Sequence, residues 1–119
     1  MTQRGRKYLF DILQAIELAE DFVRELPDFN AYRADAKTRS AVERQLGIIG
    51  EAVNHLRRVW PEAELPDTKQ IVDFRNRLIH SYDNIDDVIV WAILKRHLPV
   101  LKSHAQQRLA SQPPPEPLP

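Results

Sequence analysis

Residues 73–84 read DFRNRLIHSYDN, and the fold depends on whether this stretch is helical. At about 100° per residue, Ile71, Val72, Phe74, Leu78, Ile79 and Tyr82 fall on one apolar arc. Asp73, Asn76, Arg77 and His80 gather on the polar side, where Asp73 and Arg77 have the spacing of an i,i+4 ion pair. Arg75 breaks the pattern by projecting near the middle of the apolar arc, between Ile71 and Ile79. The flanks KQIV and IDDVIVW keep the helical spacing, so a helix carries a permanent charge on the face it should bury. A buried, unpaired charge costs several kcal/mol. Arg75 therefore requires a carboxylate from another helix, such as Glu51, or a wet groove.

Outward from this helix the apolar spacing stays helical, and strict alternation is missing. An all-α, antiparallel bundle of four to five helices is predicted. The first helix runs from about Arg6 to Leu26, with Tyr8, Leu9, Ile12, Ile16, Ala19, Phe22 and Val23 as its inner stripe. Pro27 ends it. Asp28 and Asp35 are candidate caps in a segment holding a short turn of helix. A long second helix extends from Asp35 or Lys37 to Val59, with Val42, Leu46, Ile49, Val53 and Leu56 on one side. Gly47 and Gly50 interrupt it, each at a cost of roughly 1 kcal/mol. They mark either a close helix crossing or tolerated surface positions. After the loop WPEAELPDT, Asp67 or Thr68 caps the helix that carries Arg75. A last helix follows from Ile85 or Asp86 to Ala110, with Val88, Ile89, Ala92, Ile93 and Val100 as core candidates and a kink at Pro99. Residues 1–110 make one helical domain, and 111–119, rich in proline, form a disordered tail.

Bulk properties narrow the function. The composition, 43% hydrophobic and 29% charged, is that of a soluble globular protein. No run is long enough to cross a bilayer. The N-terminal segment lacks the continuous apolar core of a secretory signal, so a cytoplasmic location is expected. Without cysteine there is no disulfide and no thiolate nucleophile. Basic and acidic residues balance at 17 each, so any contact with RNA must come from a local cluster. His55, His80, His97 and His104 lack the spacing that puts two metal ligands on one helical face. Neither a metal nor a cofactor is expected.

The chemistry concentrates around Arg75. It shares its short helix with His80, a proton-transfer group, with the amide of Asn76 and with the phenol of Tyr82. Five residues amount to about 140° around a straight helix, so Arg75 and His80 diverge within one chain. Either the helix distorts near its end, or a homodimer completes the site, because a two-fold axis sets the same patch of both copies face to face. The apolar arc then forms part of the interface, and Arg75 looks into a cleft between subunits. An arginine and a histidine without metal suffice for RNA transesterification. Histidine moves the proton of the 2′-hydroxyl or of the departing 5′-oxygen, and arginine stabilises the charge building on the phosphate.

RNRLIHSY, residues 75–82, matches the R-x4-H-x-Y signature of HEPN-domain proteins of the HepT toxin type. Arg75, His80 and Tyr82 occupy its fixed positions, and Asn76 matches the polar residue that usually follows the arginine. AVERQLGIIGEAVNHL (41–56) and VIVWAILKRHLPVLK (88–102) resemble the family's second and last helices. The resemblance spans residues 5 to 105; Ser81 stands where many relatives carry glycine. It implies a homodimeric, metal-independent RNase toxin with Arg75 and His80 catalytic at a composite cleft. It also implies an MntA-like nucleotidyltransferase antitoxin that silences the toxin by AMPylation of Tyr82. Two other readings stand beside it. One is a non-catalytic partner subunit of a nucleotidyltransferase, in which Arg75 binds phosphate. The other is a plain dimerisation module in which Arg75 pairs with Glu51.

Overall fold

The computed structural model describes residues 3–111 except Ser81 and the side chain of Tyr82. The described residues are all-α: α1 (Gln3–Val23), α2 (Phe29–Ala34), α3 (Ala36–Val59), α4 (Lys69–His80), α5 (Asp87–Ala92) and α6 (Leu98–Ser111). Single 3₁₀ turns occur at Pro61–Ala63 and Tyr82–Asn84, and a π turn, Ile93–His97, joins α5 to α6. The tail, 112–119, lies outside the described residues. Among them, no helix is long and apolar enough to cross a membrane.

Two expected caps are formed, and Asp86 adds a third. Asp28 accepts from the Ala31 amide at 2.9 Å and starts α2. Asp35 accepts from the Thr38 amide at 3.0 Å and starts α3. Asp86 accepts from the Val88 amide at 2.9 Å and starts α5. Each satisfies an orphan donor of a first helical turn. α1 stops at Val23 rather than Leu26, because the residue before a proline is pushed out of the α region. The amides of Arg24 and Leu26 reach back only three residues, to Asp21 and Val23. At the start of α4, neither candidate side chain is engaged as expected. The Thr68 hydroxyl accepts from Arg57 at 2.5 Å, while the Asp67 carboxylate faces His97 at 3.3 Å.

At Pro99, where a kink is expected, the winding of the helix changes: the turn before it widens, with the Leu98 amide bonded to the Ile93 carbonyl five residues back. A π turn absorbs the missing N–H and the ring of the proline while the helix continues. The inner face becomes Val90, Ile93, Leu94, Leu98, Leu101 and Ala105. Val88, Ile89 and Val100, expected in the core, are exposed, as is Phe22 on α1. Trp91 packs on Tyr32 with ring centroids 5.4 Å apart, which ties α5 to α2.

Two antiparallel crossings set up the functional region. Tyr8, early in α1, stacks on His55, late in α3. On the other side of α3, Gly47 faces Leu78 whereas Gly50 faces Ile71 and Arg75, so α4 runs against α3. Gly50 is the close-approach glycine. A Cβ there would stand 2.5 Å from Arg75 Cβ and 3.2 Å from the Ile71 carbonyl oxygen. Gly47 is looser, with Leu78 Cδ2 at 3.4 Å. This crossing spends most of the α4 apolar arc inside the chain. Ile71 and Phe74 are buried, Val72 and Leu78 pack at the core margin, and Ile79 alone stays 55% exposed. Among the described residues the arc is therefore mainly core, with Ile79 its exposed member.

Candidate active site

The close approach at Gly50 carries the Arg75 stem over α3 and delivers its guanidinium to Glu51. Nε donates to Glu51 Oε2 at 2.9 Å, and Nη2 donates to the same oxygen at shorter range. Nη1 donates to Asn76 Oδ1 at 3.1 Å. The side chain is 25% exposed. The charge on the apolar face is thus an ion pair at a helix crossing, open to a groove. Of the five N–H donors of a guanidinium, three are engaged by these contacts. The rest are free of described partners.

Glu51 serves two partners. Its second oxygen, Oε1, lies 3.0 Å from His55 Nε2. The hydrogen bond from Arg75 holds the Glu51 carboxyl below the usual carboxylate range, against its partial desolvation, and the Arg75 and His55 charges act in the same direction. His55 stacks on Tyr8 with ring centroids 5.2 Å apart and planes 18° apart. The sequence places Tyr8 on the core stripe and gives His55 no metal-ligand spacing, so neither is marked as part of a site. The i,i+4 spacing of Glu51 and His55 was the available signal.

These groups line a groove of about 740 Å³ between α1, α3 and α4. Lys7 and Arg44 stand on its polar rim, and Ile48, Leu78 and Ile79 supply its apolar wall. Lys7 pairs with Asp11 at 2.8 Å and sits 5.3 Å from the Tyr8 ring centroid. Arg44 has no ion pair among the described residues.

The predicted site residues are only partly assembled within one chain. Arg75 and Asn76 are bonded to each other, so Asn76 orients the arginine rather than His80. His80 is exposed at the C-terminal end of α4, outside the groove lining, and bonds to no described residue. The Tyr82 backbone opens the following 3₁₀ turn; its side chain lies outside the described set. Asp73 pairs with Lys69 at 2.7 Å, in the place of the expected Arg77 pairing.

Residues 12–108 match the family model described as ribonuclease HepT-like. The chain belongs to this family. A Thermococcus cleftensis protein named "probable ribonuclease HepT" is 39% identical over 106 residues, covering 86% of this chain and 93% of that protein. A Methanocaldococcus jannaschii protein named a "putative RNase" is 34% identical over 109 residues, covering 89% and 98% of the two chains. One from Caldanaerobacter subterraneus with a similar name is 31% identical, covering 90% and 96%. No solved structure matches. HepT-like membership covers all three helices that frame the groove, α1 only from Ile12 onward.

Proposed function

We propose that this HepT-like protein is an endoribonuclease that cleaves RNA without a metal, by attack of a ribose 2′-hydroxyl on the adjacent phosphate. The observation that carries the reading is the anchored guanidinium of Arg75. Glu51 and Asn76 fix three of its donors, so the remaining fork is aimed before substrate arrives and little reorganisation is needed in the transition state. Arg75 would bind the scissile phosphate and stabilise the charge that accumulates on its oxygens. His80 would move the proton of the attacking or leaving oxygen. The 2′-oxygen–phosphorus bond forms as the phosphorus–5′-oxygen bond breaks, leaving a 2′,3′-cyclic phosphate and a 5′-hydroxyl.

His80 stands away from the Arg75 groove, which supports a site shared between two copies, with Arg75 from one and His80 from the other. The exposed Ile79, between these residues on α4, is an apolar contact available to such a dimer. Regulation would act on the same turn. An MntA-like nucleotidyltransferase would transfer AMP from ATP to the Tyr82 phenolic oxygen, releasing pyrophosphate. The added nucleotide brings a negative charge beside Arg75 and repels RNA. The chain would then be the toxin of a toxin–antitoxin pair. Tyr82→Phe keeps the ring and removes the acceptor, so it should gain no AMP mass and escape neutralisation.

A second reading is favoured by one specific feature: the Arg75 charge is already met by Glu51. In that case the chain is a plain dimerisation module in which the Arg75–Glu51 pair is structural. Cleavage of single-stranded RNA in the presence of chelator separates the two. The nuclease reading expects activity that survives chelation and leaves DNA intact. Loss of a positioned proton-transfer group in His80→Ala should lower the rate by about 10²–10⁴-fold. Full activity in His80→Ala, or none in the unaltered protein, would overturn it.

A further inference from the structure

The Arg75 end of the groove accounts for one phosphate, but the groove is far larger than one phosphate. Beside Arg75 its lining includes the Tyr8–His55 ring stack. We infer that this stack, flanked by Lys7 and Arg44, is a subsite that holds an unpaired base of single-stranded RNA beside the phosphate bound by Arg75. The inference rests on the nuclease reading and adds to it the strandedness of the substrate and the residues that grip its neighbouring nucleotide.

Four observations support it. First, the rings lie nearly parallel, and His55 keeps 36% of its side chain exposed. They form a half-open aromatic shelf in which Tyr8 packs against the core margin and His55 faces outward, and base–aromatic stacking needs such a platform. Second, the shelf is in register with Arg75. Glu51 holds Arg75 on Oε2 and His55 on Oε1, so one carboxylate ties the ring stack and the guanidinium together. Third, the charge is right for a polyanion. The groove carries Lys7, Arg44 and Arg75 against Asp11 and Glu51. Both acids are paired, which leaves Arg44 as a cation without an ion pair among the described residues. Fourth, Ile48 and Ile79 are exposed apolar groups on the groove wall, 37% and 55% accessible, and can cover a base edge. In a duplex the bases stack on each other and are withheld from side chains, so the shelf selects single strands.

The test uses the full chain and a short RNA with 2-aminopurine beside the cleavage position. The scissile ribose is 2′-deoxy, so binding is read without chemistry. Stacking on the shelf should quench the fluorophore. Tyr8→Leu and His55→Leu should weaken binding roughly 5- to 100-fold and abolish quenching, while Tyr8→Phe should retain both. In case the ring variants fold poorly, Lys7→Gln and Arg44→Gln alter only exposed side chains. Each should lower the slope of log affinity against log salt by about 0.7 if it meets a phosphate. A cleavable version of the same RNA should show the ring variants raising KM more than they lower kcat. Unchanged quenching in both leucine variants, or no quenching with the unaltered protein, overturns the inference. A loss of dimer mass in light scattering without any change in quenching also overturns it, because the groove then seats a second copy. Ring-dependent quenching in a protein that never cuts RNA would uphold the subsite and sink the nuclease reading.

Discussion

Gly50→Ala tests whether the α3–α4 crossing positions the arginine. Adding a methyl group at this helix-interior position gains about 1 kcal/mol in helix propensity. The new Cβ would stand 2.5 Å from Arg75 Cβ, 3.0 Å from its Cγ and 3.2 Å from the Ile71 carbonyl oxygen. Neither the Arg75 Cβ nor the Ile71 carbonyl is a flexible side-chain end, so α4 itself must move outward. Overpacking of this kind costs about 1–3 kcal/mol, giving a net change from near zero to about 2 kcal/mol of destabilisation. The functional cost should be larger, because a 1 Å misplacement of a positioning group can reduce rate by about 10²-fold. Gly47→Ala is the matched control. Its nearest neighbour would be Leu78 Cδ2 at 3.4 Å, so it should keep most of the propensity gain and normal activity. Thermal unfolding and RNA cleavage of both variants provide the comparison. Gly50→Ala as stable and as active as Gly47→Ala would refute the claim that this crossing sets Arg75.

Glu51 has its carboxyl pKa depressed below the ordinary 4.5, chiefly by the Arg75 hydrogen bond. Its contribution to stability is therefore complete above about pH 4.5 and is lost as pH falls through the lower folded value. Because the carboxylate is 46% exposed, solvent screening keeps that contribution small. The stability gap between the unaltered protein and Glu51→Gln should close in acid; a gap constant from pH 7 to pH 3 would contradict the pairing. Tyr32 is fully buried, and its hydroxyl has no described partner. Burial pushes its pKa far upward. Tyr32→Phe removes an unsatisfied polar group, which costs about 1–3 kcal/mol when left unpaired. It should leave stability unchanged or raise it, and a clear fall in melting temperature would reveal a partner for the hydroxyl.

The local signals were the most legible in the sequence. Asp28 and Asp35 each precede a helix with a side-chain oxygen suited to its first turn, and both caps are found there, whereas Asp67 and Thr68 are drawn to His97 and Arg57. Arg75 was conspicuous because it violates an otherwise regular apolar arc, and its carboxylate partner could be named as Glu51. Features created by packing were not legible. Neither the π turn ahead of Pro99 nor the exposure of Val88, Ile89 and Val100 is signalled by local apolar spacing. Tyr8 has the periodicity of a core residue, yet its ring faces the groove because His55 from α3 meets it there. Gly47 and Gly50 look equivalent in sequence and differ only in what α4 brings against them. The divergence of Arg75 from His80 follows from helical spacing alone, and it is the feature that calls for a second copy.

The central claim, a site shared between subunits, is tested most directly by mixing two inactive variants. Arg75→Ala and His80→Ala homodimers should each fail to cut RNA. After subunit exchange, about half the dimers are mixed, and each mixed dimer keeps one intact Arg75–His80 pair contributed by opposite subunits. The account predicts recovery of roughly a quarter of the unaltered activity per chain. No recovery, with mixed dimers verified by native mass spectrometry, would contradict it.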